Sequence, residues 1–246
     1  MPSPIQETDV PKHDDFGILI RGFEWACLLT GAGLFLFQLI RLGFHFPIAA
    51  GWVLPVAIAG MLTADFFSGI VHWFADTWFD QDMPVLGRRF LRPFRVHHAN
   101  PHDILRRDFV DINGDTAIPV IPFLAGMSWI PLETVTGQVV SVYLLVLCGA
   151  ALPTNQIHQW AHMSKPPRFI GWLQKWRLIL SRPDHERHHA APHTTDYCIT
   201  LGWCNPLLSK IGFFPRLEWI ISSLTGLKPR SDEESFQLKI VEGMEP

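Results

Sequence analysis

The stretch DFFSGIVHWFADTW, residues 65–78, combines an apolar helix with polar residues at helical spacing. Asp65, Gly69, His72 and Asp76 follow 4-3-4 spacing, which places them on one stripe of a helix. The residues between them are mostly Phe, Ile, Val and Trp. Ionisable groups at membrane depth are costly unless they face the interior of a helix bundle and find partners there. The stretch therefore predicts a membrane helix that presents polar groups to partners at one end.

The composition of the whole chain is that of a membrane protein. Of its 246 residues, 48% are hydrophobic and 17% are charged, and the mean hydropathy is +0.16, which is too apolar for an ordinary soluble domain. The formal net charge of −3 provides no basic signature for nucleic acid. The four cysteines lack C-x-x-C spacing, so neither a disulfide framework nor a thiolate zinc site is indicated.

Apolar runs of about 18 or more residues mark the membrane spans. We predict an all-α, polytopic membrane protein of one domain with about four transmembrane helices. The predicted spans are Ile18–Ile40, Trp52–Trp73, Ala117–Leu132 and Gln138–His162. The third is short and rich in proline, so it is predicted to be a broken helix. Residues 1–16 are predicted to form a solvated tail and not a signal peptide, and residues 231–246 a flexible tail.

Charge orients the predicted bundle. Four spans put the N-terminus, the 76–116 loop and everything after residue 163 on one side of the membrane. Of the 20 Lys and Arg, all but Arg41 fall on that side, and the positive-inside rule makes it cytoplasmic. The short chain and the lack of a targeting extension favour a bacterial inner membrane over the endoplasmic reticulum.

Ten of the 12 histidines gather at the predicted cytoplasmic face, at the ends of two spans and in two loops. They are His72, His97, His98, His102, His158, His162, His185, His188, His189 and His193. Imidazole is the commonest transition-metal ligand, and no other role calls for this density. His97 and His98, being adjacent, point about 100° apart on a helix. They are therefore able to serve different metals, or one of them supports the other ligands.

Three further polar residues are weaker candidates. Asp76 is one helical turn from His72, where it would ligate a metal or orient that ring. Asn155 lies on the same helical stripe as His158. Asp65 lies two turns deeper than His72 and is equally consistent with a structural hydrogen bond.

Residues 185–189 also match H-E-x-x-H, the zinc protease motif. That interpretation uses His185 and His189 as ligands and Glu186 as general base, and it leaves most of the histidines unexplained. A catalytic zinc site has three protein ligands, whereas this set suits two metals. Carboxylate-bridged di-iron proteins carry two Glu-x-x-His motifs, and the chain has one.

A histidine-rich dimetal site at the membrane surface suits O2 activation and attack on a C–H bond of a lipid chain. The residues alone do not decide between a desaturase and a hydroxylase. A metal transporter is disfavoured because its ligands would line a path across the membrane, whereas the outer halves of these spans have no histidine.

Four stretches resemble the successive signatures of the plasmanylethanolamine desaturase family, which includes bacterial CarF-like proteins. They are residues 65–78 above, RVHHANPHDILRRDFVDINGD (95–115), NQIHQWAHM (155–163) and RPDHERHHAAPHTTDYCITLGWCNPLL (182–208). The family introduces the vinyl-ether double bond of plasmalogens. The resemblance therefore implies an O2-dependent desaturase that acts on plasmanyl phospholipids through two iron ions. The superfamily is also similar to a plastid enzyme that desaturates an acyl chain of phosphatidylglycerol, so an acyl-lipid desaturase or hydroxylase is the alternative.

The resemblance implies metal-binding roles for eight histidines. They are His72, His97, His98, His158, His162, His185, His188 and His189. Asp76 stands where other membrane desaturases often have a further histidine. His102 and His193 match family positions as ligands or as supports of ligands, and Asn155 as a holder of metal-bound water. Glu186 becomes a bystander or a hydrogen-bond acceptor behind a ligand.

The resemblance also implies an external electron donor of the cytochrome b5 or ferredoxin type, since the chain has no haem, flavin or iron–sulfur motif. A cytoplasmic cluster of arginines is predicted to receive the donor or to bind anionic headgroups. It consists of Arg88, Arg89, Arg92, Arg95, Arg106 and Arg107. The stretch RFIGWLQKWRLIL (168–180) is predicted to be an interfacial amphipathic helix that lies over the site.

Overall fold

The computed structural model describes residues 17–45 and 51–230, and the described residues form helices without any strand. The predicted tails, residues 1–16 and 231–246, lie outside them. The helices are α1 (Ile18–His45), α2 (Val53–Thr77), α3 (Arg92–Ala99), α4 (Phe109–Asn113), α5 (Ala117–Gly126), α6 (Val135–Ala151), α7 (Thr154–His162), α8 (Arg168–Lys175), α9 (Arg182–His188), α10 (Asn205–Lys210) and α11 (Phe213–Thr225). A π-helical turn at Gly87–Leu91 and 3-10 turns at Asp103–Arg106 and Met127–Trp129 connect them. The all-α prediction is confirmed, and the four cysteines are free.

Three stretches are long and apolar enough to cross a membrane, namely α1, α2 and Val135–His162, which joins α6 and α7. The shorter α5 runs beside α1. Gly114 packs against Glu24 at one end, and Arg41 donates to the carbonyls of Met127 and Ile130 at the other. Glu24 and Arg41 are about 26 Å apart along a helix. The proline-rich third segment is therefore a short apolar helix that runs beside α1, and the three longer helices fit a membrane protein.

The predicted fourth span is not one continuous helix. α6 ends at Ala151 and α7 begins at Thr154, with Pro153 between them. A proline inside a helix removes one backbone hydrogen bond, and its ring collides with the preceding turn. α7 is therefore a separate helix, and it carries His158 and His162.

α2 and α6 pack closely together. A Cβ at Gly60 would lie 2.8 Å from the carbonyl oxygen of Tyr143, closer than real Cβ atoms come, so this approach requires a residue without one, as is common between membrane helices. The Tyr143 hydroxyl donates to Thr63 at 3.0 Å. These contacts fix α2 relative to α6, and the end of α2 and the α7 helix that follows α6 carry candidate ligands.

The predicted amphipathic helix over residues 168–180 is shorter in the structure. α8 ends at Lys175, and the chain turns at Arg177, whose φ of 53° lies in the left-handed region that helices avoid. Ile170 of α8 is buried in a cluster with residues of α7, whereas Trp172 is exposed. α8 therefore packs on α7 with an apolar surface left outside, as an interfacial helix does.

Candidate metal centre

Nine of the predicted ligands form two neighbouring groups of donors. Within each group, one donor atom from every residue lies within 4.8 Å of all the others. The five-histidine group consists of His97, His158, His162, His185 and His189, and the mixed group of His72, Asp76, His98 and His188. The groups lie side by side, with the ring centroids of His72 and His158 5.8 Å apart.

The nitrogen atoms of the five-histidine group are arranged as in a trigonal bipyramid, with His97 and His185 at the two ends. The His97 Nε2 lies 3.0 Å from each of the Nε2 atoms of His158, His162 and His189. The His185 Nε2 lies 2.8, 2.7 and 3.0 Å from the same three atoms. Imidazole nitrogens bind metal ions at about 2.1 Å, so two of them at right angles around one ion are about 3 Å apart. The spacing fits donors around a single ion.

Hydrogen bonds alone do not explain these contacts. A neutral imidazole nitrogen is either a donor or an acceptor, yet the Nε2 of His158 has three other Nε2 atoms within 3.4 Å. Burial, and then the neighbouring imidazoles, hold the pKa of His97, His185 and His189 well below the usual histidine value. The rings are therefore neutral, and lone pairs that converge on one point fit a cation.

The mixed group contains one carboxylate. The Asp76 Oδ2 lies 3.3 Å from the His72 Nε2 and 3.5 Å from the Nε2 atoms of His98 and His188, and those last two nitrogens are 3.0 Å apart. Donors in a tetrahedral arrangement about 2.1 Å from one ion are about 3.4 Å apart. The fully buried His72 Nε2 makes no hydrogen bond within the described residues. Three imidazole nitrogens and one carboxylate oxygen fit a divalent cation.

Backbone carbonyls orient two rings of the mixed group. The His72 Nδ1 donates to the carbonyl of Tyr197 at 3.2 Å, and the His188 Nδ1 to that of Thr195 at 2.8 Å. Each bond leaves the Nε2 lone pair facing the group, as acceptors behind metal-bound histidines do. No sequence pattern signals these contacts, because any residue supplies a carbonyl.

The histidines of α9, together with His189 directly after it, belong to both groups. His185 and His189, four residues apart, lie on one side of the helix and join the five-histidine group. His188 joins the mixed group. This short segment therefore contributes to both groups.

Two predicted ligands lie outside both groups. His102 is exposed. The ring of His193 stacks on His98 with centroids 4.8 Å apart, and its Nδ1 is 3.3 Å from the carbonyl oxygen of His188. His193 therefore packs behind two residues of the mixed group, whereas His102 lies at the surface.

Asp65 connects α2 to the segment that follows the last histidines. Its Oδ1 accepts from the backbone N–H groups of Leu201 and Gly202, and its Oδ2 from that of Cys204. A fully buried carboxylate needs such partners. Asp65 thus holds the 197–204 segment, which includes the Tyr197 carbonyl that orients His72.

Glu186 is exposed, and it pairs with Arg182 at 2.7 Å. A general base in an H-E-x-x-H site would face the bound metal and its water. The position of Glu186 is that of a surface residue of α9.

A cavity of about 80 Å³ lies beside the five-histidine group. His97 and His158 form one wall, and Phe94, Ile112 and Asn155 contribute to the others. The side-chain amide of Asn155 donates to the carbonyl of Ile112 at 3.0 Å. Imidazoles and apolar side chains therefore meet in one space, as a site that acts on hydrocarbon requires.

Four of the six clustered arginines pair with carboxylates of the chain. The pairs are Arg89 with Asp115, Arg95 with Asp80, Arg106 with Asp103 and Arg107 with Asp111. These pairs tie the 76–116 loop together. They also lower the positive potential that an acidic partner would meet.

Comparison with known proteins identifies the family of the chain. A sequence profile described as a lipid desaturase domain matches residues 61–232, a range that contains all nine donors. The chain belongs to the lipid desaturase family. The family resemblance of the four motifs is thereby confirmed, and the chain is an oxidoreductase.

Two relatives of this lipid desaturase match most of its length. It is 40% identical over 230 residues to plasmanylethanolamine desaturase 1 of Mus musculus. The match covers 88% of this chain and 83% of the mouse protein. It is 40% identical over 216 residues to the plasmanylethanolamine desaturase of Myxococcus xanthus, with coverage of 87% and 76%. The chloroplastic fatty acid desaturase 4 of Arabidopsis thaliana is 34% identical over 179 residues, 72% of this chain and 54% of that one. No solved structure matches the chain.

Proposed function

We propose that this lipid desaturase holds two iron ions and uses O2 to convert the sn-1 alkyl ether chain of a plasmanyl phospholipid into a 1-alkenyl chain. The observation that carries the proposal is the pair of donor groups, five histidines beside three histidines and Asp76, at the ends of membrane helices. Two relatives at 40% identity are named plasmanylethanolamine desaturases, which supports the choice of lipid.

Neutral imidazoles with a single carboxylate suit iron at a redox site. When bound, the iron pair would supply the redox chemistry that reduces O2 while two hydrogens leave C1 and C2 of the chain. The alkyl ether, O2, two electrons and two protons become the alkenyl ether and two molecules of water. An external donor therefore has to provide two electrons in each turnover.

The chain's own residues bind and orient the ions and exclude water. His72, His185 and His188 are almost fully buried, and carbonyls fix the first and last of them. A dry site directs the oxidant to the lipid and away from side reactions. The cavity beside His97 and His158 would hold the reacting part of the alkyl chain.

The depth of the donor groups fits a substrate that reacts next to its headgroup. C1 and C2 of an sn-1 ether chain adjoin the glycerol, close to the membrane surface. His72 and Asp76 lie in the last two turns of α2, and His158 and His162 in the last turns of α7. A double bond in the middle of a lipid chain would call for a centre deeper in the bilayer or a long tunnel to it.

We further propose that the site faces the cytoplasm, in a bacterial inner membrane, and that a cytochrome b5-like or ferredoxin donor docks there. The distribution of Lys and Arg supports this side. His162 and His189 are only partly buried, so a donor could approach the five-histidine group closely. The arginines that pair internally would contribute less to docking than the sequence suggests.

Lipid analysis of cells that lack vinyl-ether lipids, supplied with a 1-O-alkylglycerol, tests the proposal. Expression of the chain should produce acid-labile 1-alkenyl phospholipid with O2 and none without it. His98→Ala should abolish the product and Glu186→Gln should retain it. An unchanged ether-lipid pool with a new double bond or hydroxyl in an acyl chain would show that the enzyme acts on a different lipid.

A further inference from the structure

We propose that Trp73 is a built-in reductant of the metal centre, connected to it through Tyr197 and Phe214, with Glu218 as its proton acceptor. It would quench the oxidised centre when no lipid is present to react. This inference rests on the proposed function, since it needs an oxidant formed from O2 at the donor groups. The side chains of Trp73, Tyr197, Phe214 and Glu218 belong to neither donor group.

A continuous series of packed rings leads from the mixed group to Trp73. The Tyr197 centroid lies 5.2 Å from that of His188. Phe214 lies 4.8 Å from Tyr197 and 5.7 Å from Trp73. All three aromatic side chains are buried in one cluster. Rings in contact at these distances couple electronically, so an electron from Trp73 has a short route to the centre.

Glu218 determines where the oxidised state would rest. The Trp73 Nε1 donates to the Glu218 Oε1 at 2.7 Å. An indole that loses an electron becomes strongly acidic, and a carboxylate on its N–H takes the proton and leaves a neutral radical. The Trp78 centroid is 6.0 Å from that of Trp73, but the Trp78 N–H makes no hydrogen bond within the described residues. Trp73 is therefore the better place to store the oxidising equivalent.

A second comparison supports this assignment. The Trp203 N–H also makes a short hydrogen bond, at 2.6 Å, but its acceptor is the backbone carbonyl of Arg177. A carbonyl is too weak a base to take the proton. Trp73 combines a packed route to the centre with an acceptor that can be protonated.

The strength of the oxidant sets the direction of transfer. A species that removes hydrogen from an alkyl chain also oxidises an indole, whose N–H bond is weaker than an alkyl C–H bond. The oxidised form of a ferredoxin-type donor is far too weak an oxidant to take an electron from an indole. The indole can therefore be oxidised only from the metal centre, so this route carries oxidising equivalents outwards. In the step, Trp73 loses one electron to the centre and its N–H proton moves to Glu218. The external donor later returns one electron, and the proton returns to the indole.

Spectroscopy of the iron-loaded protein tests the relay without reading its activity. The reduced protein, in nanodiscs that lack ether lipid, is mixed with O2 and frozen for electron paramagnetic resonance. We expect an organic radical whose hyperfine pattern changes when the tryptophans carry deuterated indole. Trp73→Phe should lose this signal, and Trp129→Phe, at an exposed tryptophan near the end of α5, should retain it.

Glu218→Gln provides a test that keeps the Trp73 ring in place. The Gln carbonyl can accept the indole hydrogen bond but cannot take the proton, so the neutral radical should be lost while iron content stays the same. An indole radical of unchanged intensity in Trp73→Phe or in Glu218→Gln would overturn the proposal. No radical in wild-type protein that holds iron and consumes O2 would overturn it as well.

Peptide mapping provides a separate readout. After repeated exposure to O2 without lipid or reductant, oxygen adducts should concentrate on Trp73, and in Trp73→Phe they should shift to the histidine ligands. Added ether lipid should suppress them. A Trp73 radical without any 1-alkenyl product would contradict the proposed substrate alone, whereas product without a radical or adduct at Trp73 would contradict the relay alone.

Discussion

His97 and His98 are neighbours in the chain, and their Nε2 atoms belong to different donor groups. The His97 Nε2 contacts those of His158 and His162, whereas the His98 Nε2 contacts that of His188. The two ring centroids are 6.2 Å apart, as expected for side chains about 100° apart on a helix. α3 thus supplies one candidate ligand to each group and sets the spacing between the two groups.

Alanine at either position should therefore remove a different ion. His98→Ala leaves the mixed group with three donors and should empty it, while His97→Ala should weaken the five-histidine group. Mutation of a residue that hydrogen-bonds to a metal ligand lowers the metal affinity by about 10- to 100-fold. Loss of a direct ligand should therefore lower the affinity by at least about 100-fold. Iron analysis and titration of the purified variants measure this, with the exposed His102→Ala as control. Loss of all iron from both variants would show that the groups form one site.

His188 and Glu186 distinguish the dimetal centre from a zinc protease. His188→Ala should lose both the mixed-group ion and lipid desaturation. Glu186→Gln should keep both, because Glu186 forms only a surface pair with Arg182 and such pairs contribute about 0 to 1 kcal/mol. The lipid product and the iron content are measured on the same preparations. Peptidase activity that survives in His188→Ala and disappears in Glu186→Gln would support the protease instead.

Hydropathy predicts most of this fold because each membrane span requires a long apolar run. It locates α1, α2 and the α6–α7 stretch within a few residues. It does not reveal the break at Pro153, since the run stays apolar up to that residue. It also extends α8 too far, because the amphipathic pattern continues beyond Lys175 although the backbone turns at Arg177.

The site is predictable as a set of residues and not as an arrangement. The histidine pattern marks eight of the nine donors and the helical spacing from His72 marks Asp76, but their division into groups depends on how α2, α3, α7 and α9 pack. The spacing of Asp65 places it on the ligand stripe, yet it binds backbone N–H groups that lie far away in the sequence. The carbonyls of Tyr197 and Thr195 leave no trace in the side-chain pattern.

Gly69 allows α2 to approach the 197–204 segment. A Cβ there would lie 2.5 Å from the Cys198 Sγ and 3.3 Å from the Cys198 nitrogen. Gly69→Ala should therefore push this segment away and move the Tyr197 carbonyl that orients His72. Overpacking of this kind costs about 1 to 3 kcal/mol, which should appear as a lower unfolding temperature in detergent and weaker iron binding.

Gly33→Ala is the matched control, because a Cβ at Gly33 would meet nothing within 4 Å. That variant should retain the stability and the iron of the wild type. Equal stability of the Gly69→Ala and Gly33→Ala proteins would mean that the segment yields without cost, and that Gly69 has no part in positioning His72.

Asp65→Asn tests whether this carboxylate holds the backbone or tunes the metal centre. The amide can replace only one of the two carboxylate oxygens, and its NH2 group would face the N–H of Leu201 and Gly202 or that of Cys204. Hydrogen bonds to charged groups contribute about 1.5 to 3 kcal/mol each, so unfolding should occur at a clearly lower temperature, with a parallel loss of iron. Asp82→Asn, at an exposed carboxylate, should leave both unchanged. Weaker iron binding in Asp65→Asn at an unchanged unfolding temperature would instead assign Asp65 to the metal centre.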